Sequence, residues 1–165
     1  MKVYVGTYGK YNDGNLDGKW LDLEDYENEE EFLEACRELH ADEQEPEFMY
    51  QDWDDIPEGL IHESYLSPQI WDFVRISKEC GNNTDRKEAL RTFIEYFGVE
   101  ELDNFDERYC GKYDSEAAYA EELVNECYFE ELSEFAQTYF DYEKYARDIF
   151  MNDYLYENGY VFRKY

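Results

Sequence analysis

Lys2-Val3-Tyr4-Val5-Gly6-Thr7-Tyr8 decides the fold class. Val3, Val5 and Thr7 alternate with Tyr4, Gly6 and Tyr8, and a period of two is the signature of a half-buried strand. The turn chemistry of Tyr11-Asn12-Asp13-Gly14-Asn15 follows, and Lys19-Trp20-Leu21-Asp22-Leu23 makes a second strand, so the two are expected to pair as a hairpin. Asn28 then stands where an N-cap belongs, with Glu31 placed to reach back to it. The helix so opened, about 29–39, turns Phe32, Leu33, Cys36 and Leu39 inward. Glu47-Phe48-Met49-Tyr50-Gln51-Asp52-Trp53 reads as a third strand. The class is α+β.

Outward from this module the pattern changes twice. Ser67-Pro68 reads as an N-cap followed by proline at the first helical position, opening a helix with Ile70, Phe73, Val74 and Ser77 inward that Gly81 ends. Asp85 with Glu88 opens a second helix, with Leu90, Phe93, Ile94 and Phe97 inward, closed by Gly98. Beyond it, 107–113 reads as a strand. Asp114 then caps a helix running to about 126, with Ala120, Leu123, Val124 and Cys127 inward. A helix over about 142–152 buries Tyr145, Ile149 and Phe150, and 154–165 reads as a hairpin turning at Glu157-Asn158-Gly159. The charge shifts in step. Residues 1–60 hold 19 acids and 4 bases, 61–105 hold 9 and 5, and 106–165 hold 15 and 6. Three small domains in a row, 1–60, 61–105 and 106–165, fit both patterns.

The chain of 165 residues carries 43 acidic against 15 basic side chains, a formal charge of -28. Disordered acidic tails are poor in aromatics because they have nothing to bury. Here 19% of residues are Phe, Trp or Tyr, which supplies a core. The sequence shows no apolar run of the roughly 20 residues that span a bilayer, and the polar N-terminus reads as a strand rather than a signal peptide. Cys36, Cys80, Cys110 and Cys127 lack metal-type spacing and read as reduced thiols in a cytoplasmic protein. A surface this acidic repels anionic lipid and nucleic acid, so no direct nucleic-acid binding and no membrane association are expected, and the partner should be basic.

One motif match carries a different message. Asp13-x-Asn15-x-Asp17-Gly18, followed by Glu24, fits the calcium loop of an EF-hand position for position. That loop needs a helix on each side, whereas both flanks here show strand patterns, so a polar hairpin loop is the expected reading and no metal or other cofactor is assigned. Enzyme readings fare no better. His40 and His62 lack a partner pattern, with His40 expected at the surface after a helix, and no glycine-rich phosphate loop occurs. Acid–base catalysis needs one or two carboxylates in shaped, partly apolar surroundings, not a surface full of them. The protein is expected not to be an enzyme.

The arrangement of the acids is more informative than their number. Lys19 to Arg37 encloses eight acids and no base, Arg37 to Arg75 eleven, and Lys112 to Lys144 ten. Glu30, Glu34 and Glu38 fall at i, i+4 and i+8 on one helix face, and Glu122 with Glu126 repeats the spacing. Like charges so placed cost a helix roughly 0.2–0.5 kcal/mol per pair, where interspersed lysines would gain a similar amount. A folded protein that forgoes this gain repeatedly is read as using the charge. The expected partner surface is Asp22, Glu24, Asp25, Glu27, Glu30, Glu34, Glu38, Asp52, Asp54 and Asp55, with Glu116, Glu122, Glu126, Glu130 and Glu131. Such rows stand in for DNA phosphates; the alternative is an acidic chaperone or adaptor for a basic nucleic-acid-binding protein.

Two ends of the chain carry a family resemblance. At the first, Val3-Tyr4-Val5 is followed by Tyr11-Asn12-Asp13-Gly14 and Gly18-Lys19-Trp20. At the second, Phe140-Asp141-Tyr142-Glu143-Lys144-Tyr145-Ala146-Arg147-Asp148-Ile149-Phe150 is followed by Asn158-Gly159-Tyr160-Val161-Phe162. With the length and the acidity, these resemble the ArdA antirestriction proteins of mobile genetic elements. The resemblance implies an elongated, curved, three-domain α+β fold that dimerises, mimics bent DNA and blocks the DNA-binding core of type I restriction–modification enzymes. Restriction of incoming DNA, alone or together with its modification, would be blocked. Dimerisation by analogy would use the third domain.

Overall fold

The computed structural model describes residues 1–127 and 133–165, and the chain divides into two compact units. The first comprises Met1–Lys87 with Phe97–Leu102, the second Glu88–Tyr96 with Asp103–Tyr165. Both mix helix and sheet, as expected for α+β.

In the first unit β1 (Lys2–Thr7) is the middle strand of an antiparallel sheet in the order β2-β1-β3, with β2 at Lys19–Asp22 and β3 at Phe48–Asp54. Val3 and Val5 are fully buried, as the alternation requires. Between β1 and β2 the chain does not simply turn: Tyr8–Asn12 forms a five-residue helix, α1, whose Lys10 N–H is capped by the Thr7 hydroxyl at 3.2 Å. Gly18 enters β2 where a Cβ would fall 2.5 Å from the Val5 carbonyl oxygen. The close approach of two strands, not an ion loop, accounts for this glycine.

The helix α2 (Glu29–Leu39) begins as the cap predicts, with the Asn28 side chain accepting the Glu31 N–H at 3.1 Å. Glu31 reaches back one residue further than expected and accepts the Glu27 N–H at 2.9 Å. Phe32 and Cys36 are fully buried while Leu33 and Leu39 are half-buried, and Phe32 meets Tyr26, Tyr50 and Trp71 at ring separations of 5.4, 6.3 and 6.0 Å. Asn28→Ala should therefore cost about 1 kcal/mol, read as a lower urea midpoint with an unchanged denaturant slope.

A small hairpin that the pattern did not announce, β4 (Ile61–His62) with β5 (Tyr65–Leu66), precedes α3 (Ile70–Cys80). Ser67 and Pro68 lie before α3 rather than in it, their carbonyls accepting the Ile70 and Trp71 N–H groups at 3.0 and 3.5 Å. The inward face is as expected, with Ile76 and Cys80 added. The next helix, α4, spans Thr84–Phe97; its cap is Asn83, which accepts the Arg86 N–H at 3.0 Å, rather than Asp85.

In the second unit Phe93 of α4 packs edge-on against Phe105 at 5.5 Å and beside Phe162 at 5.6 Å. Phe105 lies on α5 (Phe105–Arg108), which runs into β6 (Tyr109–Lys112). The helix α6 (Glu116–Cys127) is capped by the Ser115 hydroxyl, 3.1 Å from the Ala118 N–H, so Asp114 is not the cap. Cys127 is exposed, contrary to the inward position expected of it, because the buried face of α6 ends with Val124. After the short α7 (Glu134–Thr138), α8 (Tyr142–Asn152) is capped by Asp141 and packs on α6 through Tyr119, Ala120, Ala146, Ile149 and Phe150. The chain closes with β7 (Tyr154–Glu157) and β8 (Tyr160–Arg163) in a sheet of order β6-β8-β7. Asn158 and Gly159 have φ of 53° and 86°, the pair of positive values a two-residue hairpin turn demands. Lys164 donates to the otherwise open Phe150 and Met151 carbonyls at the end of α8, at 3.0 and 3.2 Å, and ties the hairpin to the helix. No helix among the described residues is long and apolar enough to cross a membrane.

Candidate partner-binding surface

The core of the first unit decides which acids face solvent. With Phe32 and Cys36 buried, Glu30, Glu34 and Glu38 fall on the outer face of α2, and all three are exposed. Among the described residues none of them makes an ion pair. At 1.5 Å of rise per residue, successive carboxylates of this row stand about 6 Å apart along the axis. Glu24, Asp25 and Glu27 are exposed on the segment leading to the helix.

The sheet register gathers a second group. Lys2 lies opposite Asp22 on one side and Asp54 on the other, and Tyr4 lies opposite Trp20 and Asp52. Asp22, Asp52 and Asp54 thus share the face that turns away from Val3 and Val5. Asp52 and Asp54 are exposed, as is Asp55, which takes a positive φ of 66°. Asp22 is half-buried and has structural duties: it accepts the Glu24 N–H at 3.2 Å and lies 3.4 Å from the N-terminal ammonium.

In the second unit Glu122 and Glu126 are exposed on α6, one turn apart, and Glu116 is half-buried. Glu122 accepts a 2.7 Å hydrogen bond from the Tyr113 hydroxyl, and burial together with this bond pushes the Tyr113 phenol above its ordinary value. Glu130 and Glu131 lie outside the described residues.

Across the chain, the sequence profile described as antirestriction protein (ArdA) matches residues 3–162. The chain belongs to the ArdA antirestriction family. No curated protein gave a match to it. In this ArdA chain the segment Asp13 to Asp17 closes on itself: the Asn15 side chain donates to Asp17 at 2.9 Å and accepts its N–H at 3.0 Å. Strand β2, not a helix, follows. Glu24, the last residue of the calcium motif, sits in a 3₁₀ turn after that strand.

His40 departs from its expected place at the surface: it is 1% exposed, because the chain beyond α2 folds it against β1 and α1. Its Nε2 lies 3.2 Å from the Val5 carbonyl oxygen and its Nδ1 3.1 Å from Lys10 Nζ. Lys10 also reaches Asp42 at 2.9 Å and Glu43 at 3.8 Å. His40, Asp42 and Glu43 would otherwise be a metal-type cluster, but the lysine ammonium already stands where a cation would. Their shared hydrogen bond holds Lys10 above, and the Asp42 carboxyl below, its ordinary value. The cluster was not legible in sequence because Lys10 and Val5, which complete it, lie 30 and 35 positions from His40. Burial pushes the Cys36 thiol up to about 12, so Cys36 acts as a core hydrophobe rather than a nucleophile.

Proposed function

We propose that the chain is a stoichiometric, non-enzymatic DNA mimic that occupies the DNA-binding core of type I restriction–modification enzymes. Membership of the antirestriction family supports the target class. The observation that carries the mimicry is the exposed row Glu30, Glu34 and Glu38, free of ion pairs and set on a helix anchored by a buried face. A basic groove gains affinity for DNA by releasing its condensed counterions, and a folded anionic row offers the same exchange. The formal charge of -28 equals that on about 48 Å of duplex axis, at one charge per roughly 1.7 Å. A homodimer would double this to about 95 Å, or about 28 base pairs. The reading carries a three-module plan with boundaries near 60 and 105, acts on restriction alone or together with modification, and places the protein in the cytoplasm of a host carrying a mobile element.

The test is competition. A type I enzyme bound to labelled DNA containing its recognition site should release that DNA as the protein approaches equimolar amounts. Undiminished DNA retention at a tenfold excess of folded protein would overturn the mimic reading. DNA release by a type I enzyme would also set the proposal apart from a general acidic chaperone.

A further inference from the structure

The outer face of the first unit's sheet holds more than charge. Along β1, Val3 and Val5 turn inward, so Lys2 and Tyr4 turn out, facing Asp22 and Trp20 on β2 and Asp54 and Asp52 on β3. A groove of about 480 Å³ lies here, lined by Lys2, Trp20, Asp52, Trp53 and Asp54. Trp20 is 42% exposed on this face, whereas Trp53, opposite Val3 in the register, belongs by alternation to the other one. Tyr4 meets Trp20 edge-on at 5.5 Å and 71°, which holds the indole in place while leaving much of it to solvent. Asp52 is oriented by the Trp53 N–H, 2.9 Å from one of its carboxylate oxygens.

We infer that this groove is a docking site for an arginine side chain of a protein partner. The carboxylates of Asp52 and Asp54 select a cation. The exposed Trp20 indole selects its shape, since a planar, weakly hydrated guanidinium stacks on an aromatic face and offers paired N–H groups to a carboxylate, whereas an ammonium is a compact and strongly hydrated point charge. Nucleic acid is repelled, and an apolar side chain would strip water from two carboxylates without replacing it. Lys2 shares the groove on a flexible stem, so an entering guanidinium must turn it out to solvent. The row on α2 attracts lysine and arginine through charge alone; this site adds a preference between them.

The inference rests on the reading that the partner is a basic, DNA-binding protein, and two measurements separate the claims. The first compares tetra-arginine with tetra-lysine peptides by fluorescence anisotropy at one ionic strength. Trp20→Leu should lower the arginine-over-lysine preference about two- to fivefold, the range for an exposed cation–π contact. Tyr11→Leu removes an aromatic residue that is 49% exposed and not part of the groove, and should leave the preference unchanged. Trp20→Phe, which keeps a ring, should retain most of it, and melting curves confirm that each variant is folded. An equal preference in wild type and Trp20→Leu would overturn the docking site. The second measurement is DNA release from a type I enzyme. Release with no tryptophan-dependent preference sinks the groove alone, while a tryptophan-dependent preference without release upholds the groove and sinks the mimic reading.

Discussion

Phe93→Ala is expected to destabilise the protein by about 3–5 kcal/mol, as for other fully buried phenylalanines. In a chain of this size that is a fall of about 6–20 °C in melting temperature, at roughly 2–4 °C per kcal/mol. Phe93 is 0% exposed and sits between Phe105 and Phe162, with the Arg108 guanidinium 5.3 Å above its ring. Arg108 is itself buried, and donates to the Arg163 and Lys164 carbonyls at 2.8 Å each. Removing the ring therefore opens a cavity and takes away the aromatic face on which a buried cation rests. Glu95→Ala, two residues along the same helix and exposed, should stay within about 0.5 kcal/mol of wild type. Thermal and urea unfolding of the pair test this. Equal stability of the two variants would mean that the aromatic trio is not the core of the second unit.

The residues that were easiest to place in sequence share one physical property: their partners are close by in the chain. The Asn28 cap acts on an N–H group three residues away, and the Asn158-Gly159 turn is specified by two adjacent positive φ values. Where the local pattern misleads, the deciding contact is either a competing neighbour or a distant one. Asn83 and Ser115 outcompete the nearby Asp85 and Asp114 as caps, and both candidates of each pair are suitable residue types. The helix Tyr8–Asn12 hides a glycine and an asparagine, which argue for a turn, and it is held by Thr7 and by Lys10 reaching across to Asp42. His40 is buried by Val5 and Lys10, 35 and 30 positions away. No local pattern encodes such a meeting.

The acidic surface divides in the same way. Helical periodicity was enough to put Glu30, Glu34 and Glu38 on one exposed row. That Asp22, Asp52 and Asp54 converge beside the exposed Trp20 indole depends on the pairing of β1 with both neighbours, including a register shift between Tyr4 and Val5. A one-residue slip in a strand exchanges its faces, so sheet acids are less legible than helix acids. Asp22 shows the converse limit: its spacing qualifies it for the surface, yet its carboxylate is engaged by the N-terminus and the Glu24 amide.

Replacing Glu30, Glu34 and Glu38 together by glutamine should move two quantities in opposite directions. The three side chains are nearly isosteric with their replacements, and their two like-charged i,i+4 pairs cost the helix roughly 0.2–0.5 kcal/mol each. Neutralising them should therefore raise stability by about 0.4–1 kcal/mol. Inhibition of a type I enzyme should weaken instead. If each carboxylate meets a basic side chain worth about 0.2–1 kcal/mol, the triple variant loses roughly 3- to 150-fold in affinity. Single changes should lose only a small part of that, because similar charges act in sum. Raising salt from about 50 to 200 mM should weaken inhibition by the wild type steeply and by the triple variant less so, since fewer counterions are exchanged. Glu79→Gln supplies the contrast: it removes one charge, but Glu79 is paired with Arg75 at 3.2 Å, so it should leave inhibition unchanged and stability no higher. A triple variant that is more stable and inhibits as well as wild type would remove α2 from the contacting surface. One that is more stable and inhibits poorly ties the charge to function, because loss of fold is already excluded by the first measurement. The repulsion built into α2 is then the cost of holding a row of unpaired carboxylates ready for a basic partner.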